Sequence, residues 1–100
     1  MTKADINNII AESTGVNPGV VMTVVEHLMA VIKDSVAHGD NVYLRGFGSF
    51  IVKERKEKPA RNISKNTSII VEAHNIPAFK PAPAFKKAVA EGIVGLPLED

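Results

Sequence analysis

The sequence predicts a small α+β domain that is complete only as a dimer. Three observations carry this: two helical apolar patterns fill the stretch before Gly39, strand patterns follow, and the apolar face of the second helix is too wide for so short a chain to cover. The chain has 100 residues, 45% of them hydrophobic and 23% charged, and no cysteine. That composition describes one globular domain with neither a disulfide framework nor a thiolate metal site. No apolar run approaches the ~20 residues of a membrane span, and the start lacks a secretory pattern, which points to the cytosol.

Thr2 and Asp5 have the spacing of a capping box and precede Ile6, Ile9 and Ile10, so a first helix is expected over about 3–13, closed by Gly15. Asn17 and Pro18 supply an N-cap and a first-turn proline for a second helix. Its stripe of Val21, Val24, Leu28, Val31 and Ile32 is widened by Val20, Val25, Met29 and Val36, and Gly39 closes it. Leu28, Val31 and Ile32 are therefore candidates for a dimer core.

Val42 and Leu44 alternate with Tyr43 and Arg45 as a short strand; Gly46-Phe47-Gly48 reads as a turn, and the next strand is expected from Ser49. From Lys53 to Ser68 the chain turns strongly polar, and apolar β-formers return at Ile69, Ile70 and Val71. The simplest geometry is a long hairpin over about 53–75 whose distal half leaves the body as an arm with its tip near 61–66. At ~3.3 Å per residue, the ten steps from Lys53 to Ile63 span ~33 Å, about one turn of duplex DNA. Pro77, Pro81 and Pro83 are expected to punctuate a loop, IPAFKPAP, before a short helix that stops at Gly92. Without arm and tail, roughly 75 residues remain, for which one core seldom supplies more than ~3–5 kcal/mol; oligomerisation is the expected remedy.

The net charge of +1 conceals a division. Residues 45–87 hold ten of the twelve basic side chains and three of the eleven acids, a local +7 against −6 elsewhere. Lys56, Lys58, Arg61, Ser64 and Lys65 on the arm, and Arg45, Lys53, Lys80, Lys86 and Lys87 nearer the body, are candidate contacts for a polyanion. A basic run is by default a solvated surface, but charges on a two-stranded ribbon suit the phosphates and grooves of a duplex. Gly46 and Gly48 have two readings, a turn or a close approach of backbone amides to phosphate. Ile63 also has two: a packing residue, or a wedge pushed between base pairs from the minor groove. His27, His38 and His74 show no metal-ligand spacing, and no serine sits in a nucleophile context, so neither a metal, a cofactor, a small-molecule substrate nor catalysis is expected.

At LRGFGSF (44–50), ARN (60–62) and IPAFKP (76–81) the chain resembles the bacterial histone-like HU/IHF family, in order and spacing over residues 1–91. The resemblance implies a homodimer with an intertwined helical base, a short antiparallel sheet and a protruding β-ribbon arm from each subunit. The two arms would embrace double-stranded DNA in the minor groove and bend it. It places Arg55, Lys58, Arg61 and Asn62 on the arm, and Lys3, Lys53, Lys80 and Lys86 on the saddle between the arms. Phe47, Phe50 and Phe79 match the aromatic dimer core. Two positions depart from the family: Ile63 stands where the tip proline is usual, and Ala82-Pro83 replaces Gly-Lys. The tail, residues 92–100, exceeds the usual length.

The function expected is thus architectural and non-enzymatic: largely sequence-independent binding and bending of duplex DNA in a bacterial nucleoid. The alternatives are a sequence-selective bending factor of the IHF type and, from another class, a surface protein binding other polyanions. Pairing with a paralogue is an alternative to the homodimer.

Overall fold

A computed structural model describes the backbone of residues 1–62 and 67–95 and the side chains of 1–57 and 72–95. The element order is α1 (Lys3–Thr14), α2 (Pro18–Ala37), β1 (Val42–Leu44), β2 (Gly48–Arg55), β3 (Lys58–Asn62), β4 (Thr67–Val71), β5 (His74–Pro81) and α3 (Pro83–Glu91). The chain divides into two compact units, residues 1–35 and 36–100.

In the first unit, the capping box is formed reciprocally. The Thr2 amide donates to Asp5 Oδ2 at 2.8 Å and the Asp5 amide to Thr2 Oγ1 at 3.3 Å, satisfying donors that a helix start leaves without partners. Gly15, at φ 74°, closes α1 with its amide on the Ala11 carbonyl. At the start of α2 the Asn17 side chain accepts from the Gly19 amide at 2.8 Å. Val21 is the one buried hydrophobic residue among those described. Val20, Met22, Val24, Leu28, Met29 and Val31 are all exposed, Val31 by 64% and Val24 by 61%. A 20-residue helix that leaves its apolar stripe in water would be hard to sustain alone, since packing of that stripe supplies most of a helix's stability.

In the second unit, β1, β2 and β5 form an antiparallel sheet in the order β1-β2-β5, and β3 and β4 form a separate two-stranded ladder. The β1–β2 turn comprises Arg45 to Phe47, with Gly46 at φ 77° and the Phe47 amide bonded to the Leu44 carbonyl at 3.0 Å. Gly48 already belongs to β2 rather than to the turn, so the strand starts one residue earlier than the pattern suggested. The Asn41 side chain prolongs the β1 edge: its Oδ1 accepts from the Val52 amide at 2.9 Å, and its Nδ2 donates to the Tyr43 hydroxyl at 3.1 Å.

IPAFKP corrects the expected loop: it lies within β5, paired along its length with β2 from Gly48↔Pro81 to Arg55↔His74. Three prolines in eight residues argued for a loop. They are compatible with a strand because β5 is at the sheet edge, where a missing amide costs no second ladder, and because Pro83 falls beyond it as the first residue of α3.

The core of this unit is aromatic. Phe50 meets Phe79 at a centroid distance of 4.9 Å, and Phe47 lies 5.3 Å from Phe79 and 5.1 Å from Phe85. Phe85 ties α3 to the sheet, and Gly92, at φ 66°, ends that helix. Yet Phe79 stays 39% exposed, so the cluster is open on one side.

Candidate nucleic-acid interface

Strand alternation sorts the β2–β5 ladder into two faces. One carries the cross-strand pairs Phe50↔Phe79 and Val52↔Pro77 and closes on the aromatic cluster. The other carries Ser49↔Lys80, Ile51↔Ala78, Lys53↔Ile76 and Arg55↔His74. Lys53, Arg55 and Lys80 therefore share the face turned away from the rings, and all three are exposed. Lys53 and Arg55 are neighbours on this face, about 6.6 Å apart along β2, and Lys80, opposite Ser49, lies two such rows from Lys53.

Beyond Arg55 the hairpin continues as the β3–β4 ladder, with Lys58↔Val71, Arg61↔Ser68 and Asn62↔Thr67. Within the span expected for the arm, 53–55 pairs with 74–76 and 58–62 with 67–71, and Lys58, Arg61 and Asn62 occupy positions on the outgoing strand. Lys56 falls between the two ladders and is exposed. Ile63, Ser64 and Lys65 lie outside the described residues. Lys86 and Lys87 sit exposed on α3, which the Phe85 contacts hold against the sheet.

Three saddle candidates have environments that the sequence did not disclose. Lys3 forms an ion pair with Glu26 within the first unit, each side chain about half exposed, so part of its charge is already compensated. Arg45 is exposed in the β1–β2 turn. Gly48 is buried, and a Cβ there would stand 2.6 Å from Phe79 Cζ and 2.7 Å from the Lys80 carbonyl oxygen. The glycine is needed for packing, which is a different reason from an approach to phosphate; Gly46 is needed for its positive φ.

The dimer-core candidates fall in two places. Leu28 and Val31, with Thr23, Val24 and His27, line an open, almost wholly apolar groove on α2. Ile32 beside them is half-buried. Phe47, Phe50 and Phe79 belong to the aromatic cluster of the second unit. His27 and His74 each place Nδ1 against a backbone carbonyl, of Thr23 and Glu72. Among the described residues no three His, Asp or Glu side chains gather as a metal site, and no helix is long and apolar enough to cross a membrane.

Comparison with known proteins places this geometry. A family model described as "Bacterial DNA-binding protein" matches residues 1–90. DNA-binding protein HU 1 of Bacillus subtilis is 36% identical over 90 residues, spanning 90% of this chain and 98% of the relative. Integration host factor subunit alpha of Anaeromyxobacter dehalogenans is 31% identical over 93 residues, spanning 93% and 82%. Among solved structures, an Anabaena HU–DNA cocrystal superimposes with a TM-score of 0.87 at 33% identity, covering 90% of this chain and 98% of that one. The helices, the three-stranded sheet with its ribbon, and relatives matched over nearly their whole length lead to one conclusion: this chain belongs to the HU/IHF family of bacterial DNA-binding proteins.

Proposed function

We propose that the protein is an architectural DNA-binding protein that acts as a homodimer. Its two arms would enter the minor groove and bend the duplex with little sequence selectivity, in the cytoplasm as part of a bacterial nucleoid. The observation that carries this is the segregation of Lys53, Arg55 and Lys80 on the sheet face opposite the aromatic cluster, on the two strands that lead toward the β3–β4 ladder. Phosphate contacts need only such charge and exposed donors. The Anabaena relative, solved with DNA, supports the same assignment.

In this reading residues 1–91 are the DNA-binding domain and 92–100 an appended tail. The arm contacts come from Arg55, Lys56, Lys58, Arg61, Asn62, Ser64 and Lys65, with Ile63 at the tip. Lys3, Arg45, Lys53, Lys80, Lys86 and Lys87 supply the saddle. Dimerisation would cover the exposed α2 stripe and the open side of the aromatic cluster, which a single chain leaves in water. Relatives named integration host factor favour a second reading, a sequence-selective bending factor. The minor groove presents only a degenerate code, which ranks that reading second.

The test is a titration of mixed-sequence, nicked and AT-rich duplexes at several salt concentrations with end-to-end distance read simultaneously. Similar affinities on all sequences, with shortening on binding, are expected. Affinity confined to one sequence would favour the second reading, and no affinity for any duplex would overturn both.

A further inference from the structure

The arm's hydrogen-bonded ladder is interrupted once between Gly48 and Asn62. The β2–β5 ladder ends at Arg55↔His74 and the β3–β4 ladder begins at Lys58↔Val71. Two residues lie between on each strand, Lys56-Glu57 and Glu72-Ala73. The counts are equal, so no residue is inserted and the register passes through unchanged; this is not a β-bulge. Nor does the gap contain proline or glycine, the residues that ordinarily break a strand.

What the gap does contain is charge. The uninterrupted register places Glu57 opposite Glu72, both exposed. These are two of only three acids in the basic segment 45–87. Like charges directly opposite each other on a ladder are destabilising, and ladder hydrogen bonds in water have little to oppose them. On the same face the adjacent rung is Arg55↔His74, and Pro59↔Ile70 is the next register position beyond.

We propose that Glu57 and Glu72 form a charge hinge: their repulsion keeps the ladder open at 56–57 and 72–73, so the distal ladder can change direction relative to the sheet when the arm follows DNA. The hinge itself is a property of the free protein. Its part in binding rests on the arm being the DNA-contacting element, as proposed above.

The hinge depends on the product of the two charges, whereas attraction to phosphate depends on their sum, and this separates the two effects. Glu72→Lys creates an opposite-charge pair and changes each chain by +2. The double variant Glu57→Gln/Glu72→Gln also changes it by +2 but leaves a neutral pair. The double variant Glu57→Lys/Glu72→Lys adds +4 and restores repulsion.

Amide-exchange protection at residues 56, 57, 72 and 73 of the free protein should be highest in Glu72→Lys, roughly two- to tenfold above the parent. The double Gln variant should be intermediate, and the double Lys variant as open as the parent. Affinity for a mixed-sequence duplex should instead rise with total charge and be highest in the double Lys variant. At matched charge, Glu72→Lys should shorten the duplex less on binding than the double Gln variant.

Protection that follows total charge, or does not change, would overturn the hinge even if DNA is bound normally. Equal bending by the two charge-matched variants, with the expected order of protection, would overturn its role in bending. Failure of every variant to bind DNA would overturn the reading of the arm while leaving the exchange result to stand.

Discussion

The ring of Phe79 occupies the space that a side chain on Gly48 would need, with Phe79 Cζ 2.6 Å from where a Cβ would stand. The Lys80 carbonyl oxygen, 2.7 Å away, blocks the same position with backbone of the adjacent strand. The ring could yield only by leaving Phe50 and Phe47, and the carbonyl only by distorting the β2–β5 ladder.

Gly48→Ala should therefore destabilise the fold by about 1–3 kcal/mol, the usual cost of overpacking a formed core. Thermal denaturation at fixed protein concentration measures this. Phe79→Leu in the same chain should recover part of the loss, giving a nonzero coupling in a double-mutant cycle. Additive effects of the two substitutions would show that the contact does not decide the cost.

Much of this fold is legible from local chemistry. The Thr2–Asp5 box, Asn17-Pro18 and Gly39 mark helix ends because capping is satisfied within a few residues of sequence, and the observed α1 differs from expectation by one residue. The β5 strand was hidden because Pro77 and Pro81 signal a loop wherever position in the sheet is unknown, and only pairing shows that β5 is an edge. The packing reason for Gly48, the Lys3–Glu26 pair and the placement of Glu57 opposite Glu72 all depend on register or side-chain contact, which composition does not carry. The basic face was half visible: alternation from Phe50 predicts that Lys53 and Arg55 point away from the core, but Lys80 joins them only through its pairing with Ser49.

In the dimer proposed above, burial of the exposed α2 stripe would make stability and assembly one process. Unfolding should shift to higher temperature as protein concentration rises, since association with a second chain stabilises only the folded form. Val31→Asp replaces a side chain that is 64% exposed in the single chain, where a carboxylate would be harmless. Buried without a partner in a dimer, the carboxylate should cost several kcal/mol and yield monomer by sedimentation. A variant that remains as dimeric as the parent would exclude this part of α2 from the interface.

Binding governed by phosphate charge has a measurable slope. With ~6–10 phosphates neutralised, log K should fall against log salt with a slope of roughly −5 to −9. Lys53→Ala removes one charge per chain from the exposed sheet face, two per dimer, and should flatten the slope by about 1.8 if both reach phosphate. The loss should be similar on every duplex sequence. Lys3→Ala should flatten it less, because Glu26 already compensates that charge. Isothermal binding at four or five salt concentrations compares the two, and equal slopes for both variants would contradict the difference.

By sequence Ile63 falls between β3 and β4, at the position where the resemblance to the family implies a proline. Its side chain is large and apolar enough to enter a base step, as the wedges of minor-groove architectural proteins do. It lacks the ring that fixes φ near −65° and narrows the conformations of the tip before binding. Ordering a segment without that ring costs more conformational entropy on binding, which should direct the protein toward duplexes already weakened by a nick or mismatch, where unstacking costs less. Ile63→Ala is expected to reduce bending and the preference for nicked DNA while leaving the salt slope nearly unchanged, because no charge is removed. Ile63→Pro should maintain or sharpen the bend and narrow the gap between nicked and intact duplexes. End-to-end distances on matched intact and nicked duplexes decide the matter. If Ile63→Ala bends both as sharply as the parent, the isoleucine is a packing residue and bending arises from the charged face alone.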